Sequence, residues 1–482
     1  MKNLSAMLLC DFYKISHRNM YPKGTEVVYS TWTPRTSRMA EVDKIVVFGQ
    51  QAFIKEYLID FFQENFFSRY KSSVVAEYSR IISKTLGVPS PDTSHIEALH
   101  DLGYLPLSIK ALPEGTVARL RVPTLTIQNT DDRFFWLTNF IESLTSCELW
   151  QASTSATIAK EYKKLLDAAA MDTVGDSGFT TFQGHDFSMR GMSSLRSAML
   201  SGMGHLLSFS GTDTIPAIQA AEHYYGASVD TDMVGTSIPA TEHSIQCAYS
   251  NDLEYLSKMM SDVHPSGFVS IVSDGYDFWD VIGRVVPELK TKILARDGRV
   301  VIRPDSGDPV KIVCGDPDGK TPLERKGAIE ALWDTFGGTV TPKGYKLLDS
   351  HIGLIYGDAI TLQRAKEITN RLKEKGFASI NVVFGIGSYT YQYNTRDTFG
   401  YALKSTLCVI NGVEKHIFKD PKTDDGTKKS QKGRVAVVNG QVIDQLSLDA
   451  QIPGDQLVEI FRDGKLLVNQ TFAEIRSRLA SS

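Results

Sequence analysis

The sequence predicts an α/β fold centred on an irregular (β/α) barrel between about residues 180 and 390. Strand-like apolar runs recur there at intervals of about thirty residues, the length of one strand–helix unit. Most of these runs end in Gly, Asp, Ser or Arg, as parallel strands do where their loops leave the sheet. This repetition favours a barrel over an open sheet. The predicted strand ends lie near Gln183, Ser208, Ser237, Ser273, Arg303, Gly357 and Gly385.

One strand–helix unit can be followed in full from its sequence. Gly353–Gly357 has the apolar character of a buried strand, and the helix is predicted to start within 358–361. Gly376 provides its C-terminal stop, because glycine readily adopts the left-handed conformation that ends helices. The apolar face of this helix comprises Leu362, Ala365, Ile368 and Leu372.

A second unit begins with a predicted strand at Leu206–Gly211. The segment 212–214, Thr-Asp-Thr, has the side chains that cap helix N-termini, and Pro216 suits the first helical turn. The helix is then expected to run to Gly226. The apolar run Gly178–Phe182 is predicted to be the first strand of the series.

The two ends of the chain have a different texture. Short strands are predicted at Glu26–Trp32 and Val117–Val122, and again beyond residue 400. Residues 50–70 carry aromatic side chains at helical spacing, which indicates a core or a subunit interface, since large rings dominate apolar burial. The lysine-rich stretch 419–434 has no apolar periodicity and reads, from composition, as a surface loop.

The composition indicates a globular protein in a reducing compartment. The 482 residues are 42% hydrophobic and carry a net charge of −4, so no overall charge favours nucleic acid or anionic membranes. The five cysteines are widely spaced and form no CxxC pair, which argues against a disulfide framework or a cysteine-based zinc site. Neither a signal segment nor a membrane span is evident, so a cytoplasmic location is expected.

Three strand ends carry residues suited to a phosphorylated sugar. These are Arg299–Asp308, Gly353–Asp358 and Asn381–Ser388. Small residues let backbone N–H groups approach a phosphate, aspartate can hold ribose hydroxyls, and Arg303 offers a bidentate phosphate contact. The alternative for Arg303 is a structural pair with a nearby aspartate.

Two other strand ends carry residues suited to a flat base and to proton or phosphoryl transfer. Phe187 could stack on a ring while Arg190 meets an anion, although both could be structural. His243 could act as a nucleophile oriented by Glu242 or by a carboxylate of Ser273–Asp277, although most single histidines are merely packed. The scattered histidines predict no protein metal site, whereas Mg²⁺ could arrive bound to a polyphosphate.

Taken together, these motifs resemble the nicotinate/nicotinamide phosphoribosyltransferase family, and the similarity extends over nearly the whole chain. The matching segments are His-Asp-Phe-x-x-Arg-Gly (185–191), Gly-Thr-Asp-Thr (211–214), Ser-x-Pro-Ala-x-Glu-His-Ser (237–244), Ser-Asp-x-Tyr-Asp (273–277), Arg-Pro-Asp-Ser-Gly (303–307), Gly-Asp (357–358) and Gly-x-Gly (385–387). Asp11–His17 near the N-terminus matches as well. Ser388 and Tyr389 depart from the pattern, since the family's phosphate loop usually continues with glycines.

The resemblance implies a type II phosphoribosyltransferase fold and a homodimer with shared active sites. An irregular α/β barrel (149–399) would stand beside a β-rich domain built from 1–148 and 400–482. The implied reaction joins nicotinamide to the ribose of phosphoribosyl pyrophosphate with Mg²⁺, giving nicotinamide mononucleotide and pyrophosphate for NAD salvage. In the family, ATP-dependent phosphorylation of the histidine matching His243 assists it.

The resemblance also implies individual roles. The implied catalytic residues are His243, Asp305 and Asp277. Phe187 and the Tyr13 side chain of the second subunit would sandwich nicotinamide, with Asp213 accepting a hydrogen bond from its amide. The ribose and its phosphate would be held by Arg303, Asp305, Gly357, Asp358, Gly387 and Ser388. Pyrophosphate or ATP would contact Arg190, His243, Arg303, Arg35, Arg396, Lys404, Lys419 and Lys428, which makes the loop 419–434 a phosphate-contacting flap.

Three alternatives remain open from the sequence. A nicotinate-specific enzyme would share the fold, but the carboxylate of Asp213 should repel a second carboxylate and favour the amide. A non-catalytic binding protein would be expected to have lost at least one of the chemically active side chains. An aldolase-like barrel enzyme would need a Schiff-base lysine at a strand end, and the predicted strand ends carry none.

Overall fold

The computed structural model describes residues 4–420, 423 and 429–482. The chain forms two compact units. The first unit comprises Met1–Thr157, His223–Ala227 and Asn394–Ser482, and the second unit comprises Ile158–Glu222 and Ser228–Tyr393. The domain boundaries predicted at 148 and 399 stay predictions, because compactness does not show which parts of a chain fold independently.

The strands are, in chain order, Thr25–Thr33 (β1), Lys44–Val46 (β2), Leu107–Ala111 (β3), Val117–Arg119 (β4), Leu125–Asn129 (β5), Gly184–Asp186 (β6), Gly211–Thr212 (β7), Val269–Val272 (β8), Val300–Arg303 (β9), Gly338–Val340 (β10), Lys346–Leu348 (β11), Ile352–Tyr356 (β12), Val382–Ile386 (β13), Ala402–Ile410 (β14), Val413–His416 (β15), Arg434–Val438 (β16), Gln441–Leu446 (β17), Val458–Arg462 (β18) and Lys465–Leu466 (β19).

The α-helices are Lys14–Met20 (α1), Gln50–Phe53 (α2), Lys71–Leu86 (α3), Ser94–Leu102 (α4), Leu137–Phe140 (α5), Glu142–Thr173 (α6), Thr180–Gln183 (α7), Leu195–Leu206 (α8), Ile215–Tyr225 (α9), His243–Gln246 (α10), Asp252–Lys258 (α11), Phe278–Asp280 (α12), Val286–Glu288 (α13), Lys290–Leu294 (α14), Pro309–Cys314 (α15), Pro322–Lys326 (α16), Ala328–Phe336 (α17), Leu362–Glu374 (α18), Ser388–Tyr391 (α19) and Phe472–Ala480 (α20). Wider π turns form Ile54–Phe61, Gln63–Phe67, Met259–Val263 and Val281–Val285, and 3₁₀ turns form Ala6–Leu8, Asp132–Phe134, Met189–Gly191, Ser379–Asn381 and Arg396–Thr398.

The second unit contains a curled parallel sheet with the strand order β7-β6-β13-β12-β9-β8. Single parallel bridges continue it at both edges, from Gly211 in β7 to Thr236 and from Ser270 in β8 to Ala240. Because 236–240 touches both edges, the sheet closes on itself, and its strands follow one another around the ring in chain order. The predicted fold class, an α/β fold with an irregular barrel, is therefore confirmed.

The best-formed barrel units follow directly from sequence. β9, β12 and β13 are short apolar strands whose residues are nearly all buried, as expected for parallel strands covered on both faces. In the predicted helix after β12, the Thr361 hydroxyl accepts a hydrogen bond from the Arg364 N–H, so α18 begins at Leu362. Gly376 has a φ of +77° just after the helix, as its role as a stop requires.

Two predicted strands are displaced in the structure. The run Gly178–Phe182 does not form a strand: helix α7 occupies Thr180–Gln183, and β6 starts immediately after it. Helix α8 extends through Leu206, so the expected strand at 206–211 is reduced to the two residues of β7. Both errors arise because a short apolar run fits a buried helix end as well as a strand.

The first unit is built on an antiparallel sheet with the order β15-β14-β1-β5-β3-β18-β19. Three strands from the N-terminal part of the chain form its centre, and strands from the C-terminal part flank them on both sides, since β14 pairs with β1 and β18 pairs with β3. The aromatic stripe predicted in 50–70 is buried in the core of this unit, through Phe53, Tyr57, Phe61, Phe62 and Phe66.

Two further sequence predictions concern the membrane and the cysteines. No helix in the described part of the chain is long and apolar enough to cross a membrane. None of the five cysteines, all of which are described, forms a disulfide. Much of the lysine-rich segment 419–434, including Lys428, lies outside the described residues.

Candidate active site

A cavity of about 750 Å³ opens at the carboxyl ends of the barrel strands. Loops that follow β6, β7, β9, β12 and β13 line it, which is where wound α/β folds bind ligands. Predicted site residues from widely separated parts of the sequence meet there: Phe187, Arg190, Asp213, Arg303, Asp305, Gly357, Asp358, Gly387 and Ser388.

Phe187 stands at the end of β6 with its ring half-buried beside the cavity. Its backbone N–H donates to the carbonyl of Ile386 at 3.0 Å, which continues the β6–β13 pairing to the strand end. A Cβ on Gly385 would lie 2.5 Å from the Phe187 ring, so only glycine leaves room for the ring at this position. The ring is thus fixed in place and still offers a surface on which a flat base can stack.

Asp213 follows β7 and presents its carboxylate to the same cavity. Its Oδ1 accepts two hydrogen bonds, from His185 Nε2 at 2.9 Å and from the Ser237 hydroxyl at 2.6 Å. Partial burial works to raise the pKa of Asp213, but these two hydrogen bonds and the nearby Arg303 outweigh it and lower the pKa. The side chain is therefore an anion that can only accept hydrogen bonds at neutral pH.

Arg303 ends β9 and is partly satisfied by the protein. Its Nη2 donates to the Thr241 carbonyl at 2.6 Å, whereas its buried Nε has no hydrogen-bond partner among the described residues. A buried guanidinium N–H without a partner is costly unless a ligand supplies the acceptor. This orphaned donor fits an anionic group such as a phosphate.

Asp305 lies two residues beyond Arg303, half-buried at the cavity wall. Burial raises its pKa, the charge of Arg303 opposes this, and the carboxylates of Asp274 and Asp358 add to the rise. A Cβ on Gly357 would lie 2.2 Å from Asp305 Oδ1, so glycine is needed for the carboxylate to fit. The pair of Arg303 and Asp305 therefore presents both charges to a bound ligand.

His243 begins helix α10, directly after the cavity-lining residues Thr241 and Glu242. Its Nε2 lies 3.1 Å from Oδ1 of Asp274, a carboxylate that is 3% exposed. The other oxygen of Asp274 accepts from the Asp305 N–H at 2.8 Å and the Ser306 hydroxyl at 2.6 Å. Burial works to raise the pKa of Asp274, but these hydrogen bonds prevail and lower it.

The structure places Asp277, for which the resemblance implies a catalytic role, at the N-terminus of α12. Its Oδ1 accepts the backbone N–H groups of Trp279 at 2.9 Å and Asp280 at 3.2 Å, so it caps α12. It does not line the cavity. The carboxylate that orients His243 is Asp274, three residues earlier in the same segment.

The predicted phosphate loop lies between β13 and α19. Gly387 and Ser388 line the cavity, and α19 starts at Ser388. A Cβ on Gly191 would lie 2.0 Å from the Ser388 hydroxyl, so the loop carrying Arg190 packs closely on this one. Arg190 is exposed at the cavity edge, where it is available to a ligand.

The other predicted cationic residues belong to the first unit, as does Tyr13. Burial lowers the pKa of Lys404, and the charges of Arg35, Arg396 and Lys14 act in the same direction. Glu142 opposes them, with its Oε1 at 3.8 Å from Lys404 Nζ and an ion pair to Lys14. Two cations, Lys14 and Lys404, thus lie near the carboxylate of Glu142, whereas Arg396 pairs with Asp397 at 3.4 Å. Tyr13 is 55% exposed. The backbone N–H of Lys419 donates to the Ser430 hydroxyl, and its carbonyl accepts from the Ser430 N–H.

The sequence left open which carboxylate pairs with His243, and the structure places Asp274 there. Two other residues of the site were missed as individual contributors. His185 and Ser237 lie inside the sequence motifs, but their types alone gave no role. His185 could have been noticed because it lies two residues before Phe187, and alternate residues of a strand share a face. Contacts between Ser237 and Asp213 depend on the ring closure of the barrel, for which the sequence carries no local signal.

A second cavity of about 580 Å³ lies among the barrel strands of the same unit. Phe187 and Asp213 line both cavities, so they stand between the site and the barrel interior. The interior cavity also contacts Phe179, Phe182, His185, Phe268 and Arg299.

Comparisons with known proteins show the family to which the chain belongs. The model of the nicotinate phosphoribosyltransferase family matches residues 182–465, and that of the nicotinamide phosphoribosyltransferase N-terminal domain matches residues 5–80. A nicotinamide phosphoribosyltransferase of Acinetobacter baylyi is 52% identical over 98% of this chain and 96% of the relative. One of Mycoplasma pneumoniae is 35% identical over 90% of this chain and 95% of the relative.

A solved structure shows the same fold. The human nicotinic acid phosphoribosyltransferase aligns with a TM-score of 0.55 at 14% identity, covering 98% of this chain and 93% of the human chain. The family model and the relatives confirm the resemblance predicted from the motifs. The chain is a phosphoribosyltransferase that belongs to the nicotinate phosphoribosyltransferase family.

Proposed function

We propose that this enzyme transfers the phosphoribosyl group of phosphoribosyl pyrophosphate to nicotinamide, as a step of NAD salvage. The C1–O bond to pyrophosphate breaks while a bond forms between C1 and the pyridine nitrogen, giving nicotinamide mononucleotide and pyrophosphate. The observation that carries the proposal is that Phe187, Asp213 and Arg303 line one cavity. They provide a stacking surface, an acceptor for an amide N–H and a cation for a phosphate.

The charge distribution of the cavity suits this displacement. Cleavage of the bond to pyrophosphate builds positive charge on the ribose and negative charge on the leaving group. Asp305 and Asp358 lie where carboxylates can stabilise the ribose, and Arg303 and Arg190 can stabilise the pyrophosphate. Such fixed charges act mainly on the transition state and so raise the rate of the chemical step.

Magnesium is proposed to enter with the substrate. The described residues contain no cluster of three or more metal-ligating side chains. The side-chain oxygens of Asp305 accept no hydrogen bond from the described residues, so this carboxylate has free capacity for a hard cation. Mg²⁺ commonly binds through substrate phosphates, waters and one or two carboxylates, and it would neutralise charge on the departing pyrophosphate.

ATP is proposed to act through His243. Because the Asp274 carboxylate can only accept, Nε2 of His243 carries the proton that it donates, and the lone pair lies on Nδ1. Nδ1 can then take the γ-phosphoryl group of ATP, releasing ADP, and water later removes it as phosphate. Proximity of His243 to Glu242 and Thr241 at the cavity would let that charge affect pyrophosphate binding.

Replacing His243 by alanine is expected to abolish stimulation by ATP and to leave slow basal transfer. The reason is that the phosphoryl acceptor is lost while the cavity residues that bind the substrates remain. Product formation with and without ATP measures this, and His264→Ala, in the loop after Met259–Val263, is the matched control. Full coupling to ATP in His243→Ala would refute the phosphohistidine role.

Specificity for nicotinamide over nicotinate is proposed to depend on Asp213. A carboxylate facing the substituent of the pyridine ring attracts an amide N–H and repels a second carboxylate. The variant Asp213→Asn removes this charge, and we expect the kcat/KM ratio of nicotinamide to nicotinate to fall on the order of tenfold. Steady-state kinetics with both bases measures the ratio, with Asp230→Asn in an exposed loop as control. An unchanged ratio would reject the role of Asp213.

The proposed assembly is a cytoplasmic homodimer whose two copies complete each other's sites. Exposed aromatic side chains near the N-terminus support it, because Phe12 is 46% and Tyr13 is 55% exposed. Tyr13 of the second copy would cover the face of nicotinamide opposite Phe187. As the resemblance implies, the pyrophosphate or ATP would also contact Arg35, Arg396, Lys404, Lys419 and Lys428.

A further inference from the structure

We propose that His185 and Ser237 are positioning residues that orient the Asp213 carboxylate towards the carboxamide of the substrate. The two residues touch Asp213 and need not touch the substrate themselves. This inference rests on the proposed function, because it concerns how the enzyme distinguishes an amide from a carboxylate.

Both donors converge on the same oxygen of Asp213. His185 Nε2 lies 2.9 Å and the Ser237 hydroxyl 2.6 Å from Oδ1. The hydroxyl also lies 3.4 Å from His185 Nε2, so the three side chains form a closed triangle. Oδ2 of Asp213 accepts no hydrogen bond from the described residues, and it is therefore available to a ligand in the cavity.

The direction of each hydrogen bond follows from the chemistry of the carboxylate. An ionised aspartate only accepts, so Nε2 of His185 carries a proton and the Ser237 hydroxyl donates its own. With these two donors in place, Oδ1 already accepts two hydrogen bonds, and Oδ2 is the oxygen that can accept a hydrogen bond from the substrate amide. Without them, the terminal torsion of aspartate is broad, and the carboxylate of this 42% exposed side chain could rotate.

His185 is held rigidly enough to serve this purpose. It is 8% exposed in β6, between the paired strands β7 and β13. A Cβ on Gly211 would lie 2.7 Å from its Nδ1, so the neighbouring strand leaves space only for glycine. Its ring centroid is 4.9 Å from that of Phe187. One strand therefore positions both the stacking ring for the base and the donor that orients Asp213.

The test compares variants that remove each donor with variants that retain it. His185→Leu removes the donor, and His185→Gln keeps an N–H at a similar distance from the backbone. Ser237→Ala and Ser237→Thr form the same kind of pair for the hydroxyl. His351→Leu is the matched control. Nδ1 of His351 lies 2.7 Å from Oδ1 of Asp349, and neither residue lines the cavity.

We expect His185→Leu to raise the KM for nicotinamide on the order of tenfold, since a hydrogen bond to a charged group is lost. The KM for phosphoribosyl pyrophosphate should stay within about twofold, because the phosphate-binding residues are unaffected. The preference for nicotinamide over nicotinate should fall in parallel. His185→Gln should recover most of both losses, and Ser237→Ala should show a smaller effect that Ser237→Thr reverses.

The outcomes separate this inference from the proposed function. If the wild-type enzyme makes no product from nicotinamide, the proposed function fails. If the wild type is active but His185→Leu and Ser237→Ala keep its nicotinamide KM and base preference, the positioning role is refuted. If His185→Leu and His185→Gln raise the KM for nicotinamide and the KM for phosphoribosyl pyrophosphate equally, the histidine is merely structural and the positioning role is refuted. Should His185→Leu fail to fold by circular dichroism, the Ser237 pair decides.

Discussion

Replacing Arg303 by alanine is expected to lower kcat/KM for phosphoribosyl pyrophosphate by about 10²- to 10³-fold. The guanidinium ends β9 at the wall of the cavity, and its buried Nε has no hydrogen-bond partner among the described residues. The ligand is expected to supply the missing acceptor. Alanine would remove both that contact and the positive charge that we propose stabilises the phosphate.

Two further variants identify the source of the loss. Arg303→Lys keeps the charge but not the planar fork of donors, so we expect an intermediate value. Arg299 immediately precedes the same strand, and its Nε donates to the Ser350 carbonyl. It lines the interior cavity but not the cavity that contains Arg303. Arg299→Gln should therefore keep kcat/KM near that of the wild type. Equal activity of Arg303→Ala and the wild type would exclude Arg303 from phosphate binding.

Replacing Asp305 by asparagine is expected to lower kcat by on the order of 10²-fold with a smaller change in KM. Asparagine has nearly the same shape, so the main loss is the negative charge beside the ribose. That charge matters most when the ribose becomes positive, which is in the transition state. Steady-state kinetics at saturating substrates gives kcat directly, and a loss confined to KM would contradict this role.

Asp308→Asn is the matched control for Asp305. Asp308 lies in the same loop, and its carboxylate accepts the backbone N–H groups of Val310 and Lys311 at the start of α15. Asparagine caps helices about as well as aspartate, so the same chemical change there should leave activity nearly intact. A comparable loss in both variants would point to disruption of the loop instead of loss of a catalytic charge.

The activity of the wild type at low pH should also depend on the charge of Asp305. Asp305 is proposed to act in its ionised form, and burial raises its pKa above the usual value for aspartate. Activity should therefore decline, as the pH falls, at a higher pH than an ordinary aspartate would produce. This acid limb should disappear from the residual activity of Asp305→Asn.

Much of the barrel could be predicted because its signals are local. β9, β12 and β13 are apolar runs that end abruptly in polar residues, and helix α18 has a capping threonine and a stopping glycine. The first two barrel strands could not be placed correctly. β6 and β7 are short, and the adjacent helices α7 and α8 use the same apolar residues for burial.

The site shows the same division. Phe187, Arg303 and Asp305 were found because strand ends in a barrel converge on one face, whereas the role of Asp213 was implied only by the family resemblance. The partners of these residues were not found, because a partner is determined by the distance between strands. Asp274 and Asp277 are three residues apart and chemically identical, yet one orients His243 and the other caps α12.

The most direct test of the account is product formation by the purified wild-type enzyme with phosphoribosyl pyrophosphate and Mg²⁺. Nicotinamide and nicotinate are offered separately, each with and without ATP, and the mononucleotides are separated and quantified. We expect nicotinamide mononucleotide as the favoured product, formed faster when ATP is present. Preferential use of nicotinate would contradict the assignment of Asp213, and no product from either base would contradict the proposed reaction.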